Sequence, residues 1–290
     1  MKIDFKCYDC IFKLILELSE DLGNDGEARK RLANEMLARF TEVSDRGGSP
    51  PELLAHLWGD IRFRASGCED PMKEIKRNST ALGLRLLPRL RRIAEGSAEP
   101  FHTAVRLAAA GNVIDYGINR DLDLGEVEAR VLKVLDQPYD REAAEELKRR
   151  MDEAESIFYM LDNCGEAVLD RLVMEPYREK LTVGVRGRPV LNDVTPEDAA
   201  ASGIDFAPVV DTGDATAGVS FTRSKPEFLE KLNGAALVIA KGQGNFESME
   251  HIFRRPVFYL FRAKCSVIAA LLGCPMDSIQ IVPRNLSHTP

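Results

Sequence analysis

The chain has 290 residues, of which 44% are hydrophobic and 29% are charged, the composition of an ordinary folded protein with one large core or two smaller ones. The formal net charge of -7 excludes the basic footprint of a nucleic-acid-binding protein but is compatible with a local basic cleft for a phosphorylated small molecule. No signal-peptide pattern opens the chain, and its longest apolar runs are far shorter than the roughly 20 residues that span a bilayer. We therefore expect a cytoplasmic protein with no nucleic-acid partner and no membrane partner, and the sequence sets no oligomeric state.

Residues 1–150 have helical periodicity almost throughout. Apolar residues recur at intervals of three and four in segments such as KLILELSEDLG and RKRLANEMLARF, and clusters of turn-forming residues separate these segments. No strand is predicted in this region, so we expect an all-helical domain over residues 1–150 that covers a cleft. Asn112 and Asp115 follow a predicted helix that ends near Gly111 and are second-rank site candidates.

Cys7 and Cys10 form a C-x-x-C pair at the start of an amphipathic helix. Six cysteines are too sparse for a disulfide scaffold in a chain of this length, and a close pair in a reducing compartment is typical of metal or redox chemistry. No second such pair completes a four-ligand zinc site, although Cys68 and Cys265 are extra ligands if the fold brings them close. Two ordinary half-buried cysteines on a helix would produce the same pattern, so both interpretations stay open.

After residue 155 short apolar runs alternate with helical segments. This alternation is typical of a mostly parallel sheet covered by helices on both faces. We therefore expect a Rossmann-like three-layer α/β/α domain, the catalytic domain, over residues 151–290. The predicted strands are 157–161, 181–185, 208–210, 236–240, 257–260 and 279–282.

Polar residues follow four of these predicted strands. Because the carboxyl ends of parallel strands lie at one edge of a sheet, where ligands bind in open α/β folds, the clusters are expected to converge on one crevice. At the first strand a simpler alternative is that Asp162 or Asn163 only caps the next helix. The four clusters occupy residues 162–163, 192–193, 211–214 and 241–245.

The types of these polar residues predict phosphoryl chemistry. Asp162, Asn163 and Asp193 offer the hard oxygen ligands that a divalent metal ion prefers. The Gly-rich loop that starts at Lys241 offers one cation and several backbone amides for phosphate oxygens, and Asp214 is assigned to the same substrate-facing group. The metal would polarise a phosphoryl oxygen and activate a water, while an Asp162 nucleophile forming an aspartyl phosphate is the alternative.

Several motifs resemble one known family. LDNCGE, VLNDVTPEDA, KGQGNFE and FRAKCSVIA occur in the order seen in the damage-control phosphatase family, formerly a domain of unknown function. The N-terminal C-x-x-C is similar to that of its stand-alone archaeal and bacterial branch. With DPMKEIKRN and NVIDYGI in the helical part, the resemblance covers almost the whole chain, and four ordered motifs are more specific than any single one.

The resemblance implies a helical domain joined to a Rossmann-like domain, and a divalent metal: manganese, cobalt, nickel or magnesium. It implies Asp162, Asn163 and Asp193 as metal ligands, the same three that the strand-end argument selects. Its implied substrates are small phosphorylated metabolites, including sugar phosphates and damaged or side-product cofactor precursors. The phosphate-binding residues that it implies are Lys241, Gly242, Asn245 and Lys264.

Two other functions are compatible with the pattern. A non-catalytic protein that binds a phosphometabolite or nucleotide would use the same polar loop. The predicted metal ligands would then have only a structural role. An S-adenosylmethionine-dependent methyltransferase would use the Rossmann-like sheet, but the chain lacks a convincing Gly-rich loop after the first strand, where such cofactors bind.

Overall fold

The computed structural model describes residues 1–20, 25–44, 48–58, 68–111, 114 and 124–287. Asn112 and Asp115 lie outside these residues. Within the described part of the chain, no helix is both long and apolar enough to cross a membrane. The cytoplasmic location itself remains a prediction.

The first half of the chain is helical, as predicted, and local sequence signals set several helix boundaries. At the start of the third helix, Ser49 and Glu52 form a capping box that encloses two prolines. At the start of the seventh, Asp140 accepts a hydrogen bond from the amide of Ala143 at 2.9 Å. A short 3-10 turn, Val134–Asp136, follows the sixth helix. The helices are α1 (Cys7–Glu20), α2 (Gly26–Ser44), α3 (Pro50–Ala55), α4 (Lys73–Glu95), α5 (Pro100–Ala109), α6 (Leu124–Lys133) and α7 (Arg141–Glu153).

The second half alternates strands and helices. Each predicted strand is present, with ends shifted by no more than two residues. The strands are β1 (Ile157–Met160), β2 (Leu181–Val185), β3 (Val209–Asp211), β4 (Leu237–Lys241), β5 (Val257–Arg262) and β6 (Ile279–Arg284). The helices between them are α8 (Cys164–Met174), α9 (Pro196–Ala201), α10 (Pro226–Gly234), α11 (Gln243–Met249) and α12 (Ser266–Leu272), with a 3-10 segment at Glu175–Lys180.

The six strands form one sheet in the order β3-β2-β1-β4-β5-β6. All neighbours are parallel except β5 and β6, and β1 pairs on both sides, with Ile157 opposite Leu181 and Leu237. The strand order reverses between β1 and β4, so the carboxyl ends of these strands flank the crevice where doubly wound folds bind ligands. The predicted α/β class and mostly parallel sheet are confirmed.

Helices cover both faces of the sheet. Tyr159 faces a core that includes Leu90 of α4 and Leu107 of α5, while its neighbour Phe158 faces a second core that includes Phe246 of α11. Alternate residues of a strand point to opposite faces, so a strand buried on both faces needs an unbroken apolar run. The first core contains side chains from both sides of position 150, and the division of the chain into domains there stays a prediction.

A third cluster of apolar side chains joins α1, α2 and α3 to the loops of the sheet. Ile15, Phe40 and Leu53 pack together with Val190 from the loop after β2 and Ala215 from the loop after β3. Both loops leave the carboxyl ends of their strands. The three N-terminal helices are therefore held over the edge of the sheet where the sequence predicts a site.

Candidate active site

A cavity of about 420 Å³ lies between the carboxyl edge of the sheet and the N-terminal helices. Asp162, Asn163, Asp193 and Lys264, four of the residues predicted for the site, line it together. The opposite wall is mostly apolar. It is formed by Cys10, Ile11 and Leu14 of α1, by Pro50, Pro51 and Leu54 of α3, and by Leu191 and Ala217.

Backbone hydrogen bonds continue past the ends of β1 and β2 and bring the predicted metal ligands together. The amide of Val194 donates to the carbonyl of Asp162 at 2.9 Å, the amide of Cys164 donates to the carbonyl of Asn192 at 3.0 Å, and Asn163 and Asp193 form an isolated bridge. Asn163 begins α8 but makes no side-chain capping bond; its Nδ2 donates to Oδ2 of Asp162 at 3.1 Å. The simple helix-cap interpretation is therefore disfavoured for Asn163.

Arg186 lies fully buried beneath these carboxylates. Its Nε donates to Oδ2 of Asp193 at 2.6 Å, and its Nη2 lies 3.6 Å from Oδ1 of Asp162. Its Nη1 donates to Oδ1 of Asn245 and to the carbonyl of Gly218. Arg186 was not predicted, because it belongs to none of the acidic, amide or Gly-rich clusters. It nevertheless follows β2 directly and obeys the same strand-end rule.

The carboxylates of the site are destabilised in their charged form. Burial, together with the negative charges of Asp193 and Glu166, raises the pKa of Asp162 to about 8, against the opposing charges of Lys264 and Arg186. Burial also raises the pKa of Asp193, although Arg186 opposes that shift. A divalent cation would relieve this repulsion, and two carboxylates beside an amide oxygen are the donors that such an ion prefers. The residues therefore fit a divalent metal.

Gly242 supports the carboxylate of Asp162. Its φ angle is +80°, and a Cβ atom at this position would lie 2.0 Å from Oδ2 of Asp162. Only glycine permits both this backbone conformation and this close approach. The Gly-rich loop, which the sequence analysis assigned to phosphate, thus packs against a predicted metal ligand.

The side chain of Lys241 points away from the cavity. Its Nζ donates to Oε1 of Glu166 and to Oδ1 of Asp170, both at 2.6 Å, and to the carbonyl of Ala108 at 3.3 Å. Burial by itself lowers the pKa of Lys241, but the charges of Asp170 and Glu166 outweigh it and raise that pKa. Lys241 lies on the same face of β4 as Ile239, towards α8, and this placement disagrees with the predicted phosphate contact.

Asn245 and Asp214 are also absent from the residues that line the cavity. Nδ2 of Asn245 donates to the carbonyls at the ends of β1 and β4, and its Oδ1 receives Arg186, so this buried amide ties the two strands together. Oδ2 of Asp214 accepts hydrogen bonds from Thr216 and from Arg223. The geometry thus gives no support to a phosphate contact by either residue, and a carboxylate would in addition repel phosphate.

Lys264, Gln243 and Glu247 line the cavity on the side of the sheet. The amide of Lys264 donates to Oε1 of Gln243 at 2.8 Å, and Nε2 of Gln243 donates to Oε1 of Glu247 at 2.7 Å. Burial raises the pKa of Glu247. The exposed side chain of Lys264 is the predicted cation that reaches this wall. Gln243 lies in the predicted cluster 241–245 but was given no role of its own, and Glu247 was not predicted because it lies inside a helix.

The C-x-x-C pair is divided between the cavity and its surroundings. Cys10 lines the cavity, whereas Cys7 is half-buried outside the lining, and both are free thiols. Burial raises the pKa of the Cys7 thiol, which favours its protonated form. Their predicted metal or redox role stays a prediction.

The fold and this cavity define a class: doubly wound α/β proteins with an acidic site at the switch point of the sheet. A sequence model described as the damage-control phosphatase ARMT1-like domain matches residues 3–279. The chain therefore belongs to the damage-control phosphatase family, as the resemblance of its motifs implies.

Named relatives and a solved structure agree with this assignment. A damage-control phosphatase of Pyrococcus horikoshii is 30% identical over 98% of this chain and 99% of its own, and one of Archaeoglobus fulgidus is 31% identical over 94% and 96%. The crystal structure of a DUF89 family protein from Pyrococcus horikoshii superposes with a TM-score of 0.83 at 27% identity, covering 96% of this chain and 98% of that one. These comparisons support a phosphatase-type function, and the family implies small phosphorylated substrates.

Proposed function

We propose that this protein is a metal-dependent phosphatase that hydrolyses small phosphate monoesters, such as sugar phosphates or damaged and side-product phosphometabolites. One observation carries the proposal: Asp162, Asn163, Asp193 and Lys264 line a single cavity at the switch point of the sheet. The cavity volume of about 420 Å³ is of the size that holds a small molecule.

The metal would be held by the side chains of Asp162, Asn163 and Asp193. When bound, a divalent ion supplies Lewis acidity towards a phosphoryl oxygen and lowers the pKa of water. Arg186 orients Asp193 through its 2.6 Å hydrogen bond, and Gly242 leaves room for the carboxylate of Asp162. These residues act on the ligands and are positioning residues.

Lys264 is the residue that we assign to the phosphate. Its side chain is exposed and lines the cavity beside the two acids, where its charge would neutralise phosphoryl oxygens. The apolar wall from α1 and α3 lowers the local polarity and so strengthens these electrostatic contacts. We propose water as the attacking group, because the carboxylate of Asp162 is assigned to the metal.

The test is hydrolysis of p-nitrophenyl phosphate and a panel of sugar phosphates by EDTA-treated protein. We expect no turnover until manganese, cobalt, nickel or magnesium is added. We expect Asp162→Asn to lower kcat by at least about 100-fold, because losing a metal ligand costs more than losing a residue that only hydrogen-bonds to a ligand.

The matched control is Asp205→Asn, which removes an exposed acid outside the cavity and should leave kcat unchanged. Activity that resists EDTA, or that survives Asp162→Asn, would overturn the mechanism. Tight binding of phosphometabolites in calorimetry with no turnover on any substrate would instead favour the non-catalytic binding protein.

A further inference from the structure

A second group of metal-ligating side chains lies on the helical layer, away from the cavity. Glu99 precedes α5, His102 lies in its first turn and Glu145 lies on α7. One ligand atom from each residue lies within 4.8 Å of the others, and Nε2 of His102 is 3.3 Å from Oε1 of Glu145. Ala108, which accepts a hydrogen bond from Lys241, is six residues further along α5, about 9 Å at the rise of an α-helix.

His102 supplies the observation that points to a ligand. The residue is only 4% exposed, and its Nε2, although 3.3 Å from Oε1 of Glu145, makes no hydrogen bond of acceptable geometry to any described residue. A buried ring nitrogen without a partner costs free energy in a folded protein, and this one is aimed into a pair of carboxylates. A bound cation would supply the missing partner.

Tyr139 orients the imidazole for this purpose. Nδ1 of His102 lies 2.9 Å from the hydroxyl of Tyr139. When Nδ1 donates to that hydroxyl, Nε2 carries the lone pair that a metal ion requires. A polar partner on the other ring nitrogen is the usual support of a metal-binding histidine.

Arg141 is a charged competitor at this group. Its guanidinium donates to both carboxylate oxygens of Glu99, with 2.8 Å between Nη1 and Oε2. Each carboxylate oxygen has two lone-pair directions, so Glu99 is able to hold Arg141 and a metal ion together. The positive charge of Arg141 would nevertheless weaken the binding of a cation.

We propose that Glu99, His102 and Glu145 form a binding site for a divalent transition-metal ion of the zinc or cobalt class. One imidazole nitrogen and two carboxylate oxygens suit such ions and leave a further position for water. The ion would join the start of α5 to α7 and stabilise their packing. The inference is independent of the proposed phosphatase activity, since none of the three residues lines the cavity.

The experiment measures zinc binding to the full chain by calorimetry. The parent protein carries Asp162→Asn, Cys7→Ser and Cys10→Ser, which remove one carboxylate ligand of the cavity and the thiol pair. We expect the parent to bind one zinc ion per chain. Glu145→Gln should abolish this binding or lower the zinc affinity at least tenfold. Glu142→Gln is the matched control on the same exposed side of α7 and should bind zinc as the parent does.

Further variants distinguish the loss of a metal ligand from misfolding of the protein. His102→Gln should abolish the same binding event, and Arg141→Gln should tighten it because the competing charge is gone. Cobalt bound to the parent should show a spectrum of nitrogen and oxygen ligands without a thiolate charge-transfer band. Equal zinc affinity in the parent, Glu145→Gln and His102→Gln would overturn the proposal, and phosphatase activity in an otherwise natural chain should be unaffected by Glu145→Gln.

Discussion

Two buried clusters at the carboxyl edge of the sheet each contain two carboxylates and one basic side chain, yet their surroundings differ. The cavity cluster opens towards the space under α1 and α3, whereas the sealed cluster lies between β4, α5 and α8. Their members are Asp162, Asp193 and Arg186 in the cavity cluster, and Glu166, Asp170 and Lys241 in the sealed cluster.

Hydrogen bonding explains how the two clusters differ. In the sealed cluster Nζ of Lys241 donates at 2.6 Å to a carboxylate oxygen of both acids. In the cavity cluster Arg186 donates to Asp193, while its nearest approach to Asp162 is 3.6 Å. A buried acid pair bound by its own cation is a structural unit. The acid pair of the cavity cluster lies beside a cavity, and its Asp162 is incompletely neutralised. This pair is suited to receive a cation from solution.

The largest effect is expected from breaking the sealed cluster. Lys241→Met leaves two buried carboxylates without their cation, so we expect the free energy of unfolding to fall by about 3–5 kcal/mol. Urea denaturation measures it. Lys264→Met is the matched variant in the cavity and should change stability by no more than about 0.5 kcal/mol, because its side chain is exposed. Equal losses for both lysines would contradict the distinction between the clusters.

The next effect tests the contact that shapes the cavity cluster. Gly242→Ala introduces a Cβ atom against Asp162 and a φ angle that only glycine readily adopts, so we expect a loss of about 1–3 kcal/mol in stability. Metal-dependent activity should fall with it, because Asp162 must move. Gly234→Ala is the control, since a Cβ atom there meets nothing within 4 Å. If both alanine variants behave alike in unfolding and in metal titration, the close approach has no role.

A smaller effect is expected from the cation of the cavity. Lys264→Gln removes a charge-assisted contact to phosphate, so KM should rise about tenfold with the fold and stability unchanged. Steady-state kinetics with a sugar phosphate measures it. Lys231→Gln removes an equally exposed lysine on α10 and serves as the control. An unchanged KM for Lys264→Gln would show that this lysine does not hold the substrate.

A further effect concerns the pH dependence of the sealed cluster. Burial, with the charge of Glu166, raises the pKa of Asp170 to about 7 in spite of Lys241. A carboxyl group whose pKa is raised by folding binds more protons in the folded state, so its contribution to stability falls as pH rises from about 4 to 7. Asp170→Asn keeps the Oδ1 acceptor and should make the fall in unfolding free energy shallower. Parallel pH profiles for the natural protein and Asp170→Asn would refute this assignment.

The sequence by itself determined the elements and the place of the site. Short apolar runs identified the six strands. The runs of the central strands β1 and β4 are unbroken, because a strand buried on both faces cannot alternate with polar residues. The strand-end rule placed Asp162, Asn163 and Asp193 on one edge, and the family resemblance added Lys264. The structure brings all four into one cavity. Local sequence pattern suffices to locate the strands and their ends, because both depend on short segments of the chain.

Tertiary structure alone decided which side of that edge each polar group faces. Lys241 ends β4 and Asn245 lies in the first turn of α11, on either side of Gly242. Lys241 nevertheless turns to two acids on α8, and Asn245 turns to Arg186. Their partners lie tens of residues away, so no local pattern reveals them. A buried charge takes the direction in which a long-range partner satisfies it, and those partners are assembled only when the helices pack on the sheet.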